Sequence, residues 1–396
     1  MITSSFIYVT ALLVIAASLK FLETSTRWRL FEYLPAIVSL YFVVMLCSTF
    51  GVWEKTEDIT NAYKMLRNNL LPAMIFLMLL DADLRQIKQL GGRMLLAFFI
   101  AAISIGVAFV LAFSVFQHYL PADAWKTLTA LSGSWMGGTG NMVAIQMALD
   151  VPDASMGYTL LIDSIDYALW VMFLLALVPH AKRFNRWVKA DNTLLEKIGS
   201  NIDFDKDKDK NKEKEQRPVD ASSLLILLAS ALLVSALAQN AALWLPTSAY
   251  FTATAWTVLL VTLAGVICAL TPLGKIAGAS QLSMLMLYLI IALIASRANL
   301  AELTQAPLYI LLGLMILVFH GVIMLIMAKW LKLDLFTCGV ASLANIGGVA
   351  SAPILAASYS KALIPVGVLM SMIGYIIGTG GGLLVGKVLS FIAASS

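Results

Sequence analysis

Twelve stretches of this chain are almost purely apolar, and most are long enough to cross a lipid bilayer. They lie near residues 4–22, 31–53, 70–84, 94–117, 127–149, 156–179, 221–245, 250–270, 281–300, 307–331, 337–359 and 363–390. A spanning helix needs roughly 20 mostly apolar residues, so a polytopic all-α membrane protein is the expected class. Composition agrees. Of 396 residues, 60% are hydrophobic and 13% charged, with a mean hydropathy of +0.87. Soluble domains run at about 45–50% apolar and about 25% charged, and no soluble fold hides that excess.

The first apolar stretch follows no basic segment and reaches Lys20 without a small-residue cleavage site, so it is expected to stay as a helix. Cys47, Cys268 and Cys338 lie in or beside apolar stretches with no C-x-x-C pattern, which excludes a disulfide framework and a cysteine metal cluster. A net charge of +4 points to no nucleic-acid partner. It fits Lys- and Arg-rich cytoplasmic loops of a cell (inner) membrane protein whose other partner is the lipid bilayer.

Six stretches precede a charged interruption at 180–220 and six follow it. The core of that interruption, DKDKDKNKEKE, has nothing to bury and reads as a solvated cytoplasmic linker. The expected units are therefore residues 1–179, the linker 180–220, and residues 221–396. The flanking halves resemble each other at an offset of 210–211 residues. Leu34-Pro35 aligns with Leu245-Pro246, Gly137-Gly138 with Gly347-Gly348, and Gly157 with Gly367. Such internal repeats are common in secondary transporters. If all twelve stretches cross, the halves run parallel. If the fifth and eleventh enter and leave on one side, each half keeps about five spans and the halves are inverted. The distribution of Lys and Arg barely separates these topologies. The two stretches that must be re-entrant or broken are the glycine-rich ones, which favours inversion.

Those two stretches are the candidate site. GSWMGGTGNMVAIQMAL (133–149) places four glycines within eight residues, each costing a helix about 1 kcal/mol relative to alanine. A broken helix frees backbone N–H and C=O groups, which survive inside a bilayer only in protein or around a wet cavity. They can bind an anion at a helix N-terminus or a cation at carbonyls. Ser134, Gly137, Gly138, Thr139, Gly140 and Asn141 are the expected substrate contacts from this half, with Ser132 and Gln146 as further uncharged ligands. Ser342, Asn345, Gly347, Gly348 and Ser351 are their counterparts before Pro353 in GVASLANIGGVASAPILAASYS (339–360). Two interrupted segments in corresponding positions point to a transporter binding site. Small residues also let helices pack closely, and GSWMG has that G-x-x-x-G spacing.

Asp163 and Asp166, three residues apart, are expected on one helix face. Intramembrane carboxylates usually mark ion or proton paths. With Asn141 and Asn345 they form a candidate Na⁺ site, carboxylate and amide oxygens suiting a hard cation; H⁺ is the other coupling ion. Asp81, Asp83, Arg85 and Lys88 read as a membrane-surface cluster. Arg297 suits either an anionic substrate or the interface, and His320 either proton carriage or packing. GGTGN lacks the Lys-Ser/Thr of a phosphate loop, and neither H-E-x-x-H nor G-x-S-x-G occurs. No enzyme and no cofactor are expected.

The GGTG of 137–140 resembles the re-entrant-loop motif of the 2-hydroxycarboxylate transporters, and the plan of two inverted five-span halves resembles theirs and that of the sodium/glutamate symporters. GSWMGGTGNMVAIQ together with SLANIGGVASAPILAA is most similar to the membrane family called domain of unknown function 819. The resemblance covers the chain outside 180–220, though GGVA replaces G-G-x-G in the second half. It implies an inverted-repeat fold, cation-coupled uptake of a small anionic solute, and a homodimer. The expected function is thus a secondary active transporter, a Na⁺- or H⁺-coupled symporter of a carboxylate-bearing metabolite such as an amino acid, short peptide or hydroxy acid. An ion channel or a non-transporting scaffold or receptor is the alternative.

Overall fold

A computed structural model describes residues 1–25, 31, 35–80, 90–190, 219–248, 252–300, 303, 306–360 and 363–394. Asp81, Asp83, Arg85, Lys88, Leu34 and linker residues 191–218 lie outside the described residues. Everything described is helical or connecting, apart from one isolated bridge between Ile2 and Trp53. In the first half the helices are α1 (Ser5–Ser25), α2 (Ala36–Thr49), α3 (Glu57–Leu80), α4 (Gly91–Phe116), α5 (Ala124–Gly137), α6 (Thr139–Leu149) and α7 (Met156–Leu177). A short α8 (Ala181–Val188) follows. The second half comprises α9 (Ala221–Ala242), α10 (Ala253–Ala269), α11 (Ala279–Ala295), α12 (Ala306–Leu331), α13 (Leu335–Ile346), α14 (Gly348–Tyr359) and α15 (Ile364–Ala394).

The two halves repeat the same order of elements, down to 26 residues in both α4 and α12. Among the described residues six helices are long and apolar enough to cross a membrane: α1 and α9, α4 and α12, α7 and α15. Their outer faces expose apolar side chains in helical register, such as Leu233 and Leu237 on α9 and Leu384 and Phe391 on α15. Rows of exposed leucine belong against lipid. The chain is a multi-pass membrane protein.

Five segments differ from expectation. The apolar stretch at 70–84 is the second half of a helix that begins at Glu57, because Glu57 and Asp58 suit the positive end of its dipole. Pro72 lies inside that helix. Helices α2, α10 and α11, at 14, 17 and 17 residues, are shorter than a full crossing normally requires. The start of the expected linker is not free coil. Helix α8 buries Val188, the Lys329 ammonium donates to the Trp187 carbonyl, and the Leu335 amide donates to Asn185 Oδ1 at 2.9 Å. At the other linker end Asp220 caps α9 by accepting from the Ser223 amide at 2.7 Å, and Ser223's hydroxyl and amide hold its carboxyl below the usual range.

Each glycine-rich stretch is a helical hairpin. A methyl group on Gly133 would strike Ile145, and one on Gly339 would meet Leu355 at 3.0 Å. Straight helices would hold those pairs about 18 and 24 Å apart, so α6 folds back on α5 and α14 on α13.

Apolar packing divides the molecule by repeat position. One buried cluster gathers α1, α2, α3, α9, α10 and α11, the opening helices of both halves, and takes in α6. The other gathers α4, α5, α7, α12, α13, α14 and α15. Where they face each other, they leave a cavity.

Candidate functional site

Gly138 adopts φ 88°, ψ 172°, a conformation essentially restricted to glycine, and so ends α5 and starts α6. The other hairpin turns at Gly347 and Gly348, and Gly348 has φ 56°. These two positive-φ glycines are 210 residues apart, in the register of the repeat. Both turns border one cavity of about 440 Å³. Gly138, Thr139 and Gly140 form part of its wall, Ile346 to Ala350 another, and Asp163 and Tyr167 of α7 a third. The opposing cluster supplies Lys20, Glu23, Val38, Met74, Met78 and Tyr288.

Charge in this space is sparse. Asp163, half-buried, accepts from the Ser134 hydroxyl at 2.9 Å. Lys20 and Glu23 pair at 2.7 Å, and the second Glu23 oxygen accepts from the Ala36 amide at 2.8 Å. The Lys20 ammonium also stands 5.8 Å from the centre of the Tyr288 ring. Among the described residues this is the one ion pair, so Lys20 is committed to Glu23 and no Lys or Arg is paired with Asp163.

Of the substrate contacts expected from sequence, Ser134, Gly138, Thr139, Gly140, Gly347 and Gly348 line the cavity. The others lie behind its wall. Gly133 and Gly137 let α5 press onto α15, where a Cβ on Gly137 would strike Gly374, Gly378 and Asn141. Asn141 is spent on structure: its amide donates to the Gly137 carbonyl at 2.6 Å and its oxygen accepts from Thr379 at 2.6 Å. Ser351, fully buried, stands with Tyr167 against Gly347. The Asn345 amide donates to the carbonyls of Ala341 at 2.9 Å and Phe98 at 3.3 Å.

Ser342 joins a buried chain with His320. The donor-only Trp170 indole gives its proton to Ser342 at 2.8 Å, and Ser342 meets His320 Nε2 at 2.8 Å. On the other side His320 Nδ1 meets Ser104 at 2.7 Å, and Ser104 donates to the Ala101 carbonyl. Every partner is satisfied with a neutral imidazole protonated on Nδ1, so His320 ties α4, α7, α12 and α13 together.

The four residues grouped as a candidate Na⁺ site have separate neighbours. Asp163 faces the cavity, whereas Asp166 is fully buried against Gly313 of α12, and neither of its carboxylate oxygens has a hydrogen-bond partner among the described residues. Residues three apart on a helix are still offset by about 60° around its axis, enough to turn them toward different helices. No group of three or more His, Cys, Asp or Glu suited to a metal occurs among the described residues. Gln146 donates to Asp153 at 2.8 Å, and Arg297 stacks 5.2 Å from the Tyr63 ring centre and donates to Thr60. Both lie outside the cavity wall.

The sequence reading missed Lys20, Glu23, Tyr167, Tyr288 and Tyr375 of the cavity. It also missed Gly374, Gly378 and Gly382, the stripe on α15 that receives α5. That stripe is legible as three glycines at a spacing of four, the signature already noticed in GSWMG.

The model of a family described as "Protein of unknown function (DUF819)" matches residues 10–392. A search of the curated proteins found no match.

Proposed function

Since the chain belongs to that family, whose description assigns no activity, we propose a function from the site itself: a secondary active transporter that couples Na⁺ or H⁺ to uptake of a small carboxylate-bearing metabolite. One observation carries this reading. The turns of both glycine hairpins border a single cavity, at the seam between two separately packed clusters. A site at a seam becomes accessible from alternate sides when one body moves against the other.

In this reading the halves are inverted and the hairpins re-entrant. Support comes from their length, since α5 is about 21 Å and α6 about 17 Å against roughly 30 Å of hydrocarbon. Further support is an asymmetry. Helix α6 lodges against α3 and α10, while its repeat partner α14 makes no comparable contact with α11 or α2. The cavity fills the space where that contact would form. The described state is then open on the α14 side, and its counterpart seats α14 and releases α6. The carboxylate of a substrate meets the backbone at the hairpin turns, and an α7 aspartate serves the coupling.

Purified protein in liposomes tests this. Solutes bearing a carboxylate should accumulate when a Na⁺ or pH gradient is imposed, saturably, and lose accumulation on Asp163→Asn. Absence of gradient-driven accumulation for every solute class would sink the proposal, and steady conductance in a planar bilayer would replace it with a channel.

A further inference from the structure

The two aspartates of α7 sit in environments different enough to divide the labour of such a site, and the cavity's charge says which chemistry each suits. Lys20 cannot serve as a free anchor for an anion, because Glu23 holds it at 2.7 Å. The described charged residues on the wall are Lys20, Glu23 and Asp163. Once the first two cancel, one negative charge remains. It sits on Asp163, which accepts from the neutral Ser134 hydroxyl, has no cationic partner among the described residues and faces open volume. A neutral hydroxyl stabilises a carboxylate but does not compensate its charge. In a low-dielectric wall an uncompensated carboxylate draws a cation.

The shape of the space favours an organic cation. At about 440 Å³ the cavity is far larger than a single ion needs and falls in the range of small-molecule sites. Its wall offers Met74, Met78, Met284, Leu287 and the Tyr288 ring, which suit an apolar body. Asp166 is the opposite case: sealed from the cavity, partnerless and pressed on Gly313. No ammonium group reaches it, whereas a bare proton is small enough.

We propose that Asp163 binds the ammonium group of the substrate, so that the transported solute is a zwitterion with an apolar side chain, an amino acid or dipeptide, in preference to hydroxy acids and dicarboxylates. The inference rests on the transporter reading above and narrows its substrate class. The backbone of the hairpin turns faces the carboxylate end, Asp163 the amine, and coupling is left to Asp166.

The test compares compounds that differ only at the amine. Thermal unfolding of the purified full-length chain in detergent is followed with leucine, methionine, phenylalanine and their glycyl dipeptides. The same titrations are run with the matching 2-hydroxy acids, in sodium and in potassium chloride. The amino compounds should raise the unfolding temperature, with apparent affinity at least about tenfold above that of the hydroxy acids. Asp163→Asn should erase that preference while Asp166→Asn keeps it. If Asp163→Asn does not fold, the wild-type comparison alone decides. Equal or tighter binding of hydroxy acids overturns the inference and leaves the transporter reading standing. Stabilisation by sodium alone that disappears in Asp163→Asn assigns this carboxylate to the ion and also overturns it. If no solute binds, and none accumulates in gradient-loaded liposomes, the transporter reading falls and takes the inference with it.

Discussion

The two glycine hairpins share a design and differ in setting. In α5–α6 the residues from Leu131 to Gly137 and from Gly140 to Leu149 are buried, and its tip meets the cavity only at Gly138 to Gly140. In α13–α14 the arm before the turn is equally buried, but Val349 and Ala350 beyond it are exposed and Ile354 is 58% exposed. Their asparagines are not repeat equivalents either. Asn141 lies just after its turn and Asn345 just before the other, although both donate to the carbonyl four residues earlier. A repeated sequence therefore encodes two hairpins, while packing makes one a fixed wall and the other a loosely seated tip. On the transporter proposal that difference decides which hairpin moves, and substitutions in matched positions can break it.

The largest effect is expected at the fixed wall. A valine at Gly137 would drive its side chain into the backbone of Gly374 and Gly378, where α5 and α15 are in direct contact. Backbone cannot yield as a side chain does, so Gly137→Val should cost about 3 kcal/mol or more and leave little folded protein by size-exclusion chromatography and thermal unfolding in detergent. If that variant folds normally, the hairpins do not differ as described.

Gly138→Ala comes next. There the obstacle is conformational, because φ 88°, ψ 172° is nearly closed to a residue with a Cβ. A cost of about 1–3 kcal/mol is expected, read as a lowered unfolding temperature with fold retained. Asn141→Ala should cost about 1–2 kcal/mol by leaving Thr379 without its buried acceptor. The double variant with Thr379→Val should recover part of that loss, since both polar partners are then gone. No recovery would mean that Asn141 acts elsewhere than on α15.

Much of this was legible before any coordinates. All twelve apolar stretches reappear as helices, and the two glycine-rich ones are the two that break. A bilayer makes this possible, because it forces every spanning backbone group into a helix and leaves only glycine clusters as exceptions. What stayed hidden depends on which surfaces meet. The 133–149 stretch gave both a packing and a binding reading, and in the structure its glycines divide: Gly133 and Gly137 pack, and Gly138 turns. The divergence of Asp163 and Asp166 follows from a small rotation about one helix axis, which spacing alone does not resolve. In the sequence Lys20 only closes the first apolar stretch, and it is α11 that brings the Tyr288 ring within 5.8 Å of it.

The smallest effect, and the sharpest probe of the comparison, is expected at Gly348. Its φ of 56° lies in the left-handed region, but an added Cβ would meet nothing within 4 Å. Strain is then the whole cost, about 1 kcal/mol, without the collisions that burden Gly137. Gly348→Ala should lower stability only slightly, yet the turn it stiffens belongs to the hairpin whose seating would have to change. A variant with near-normal unfolding temperature and strongly slowed gradient-driven uptake would place the moving part at the second hairpin. Uptake unaffected by Gly348→Ala, alongside loss in Gly138→Ala, would instead assign the motion to the first hairpin and reverse the roles drawn from their packing.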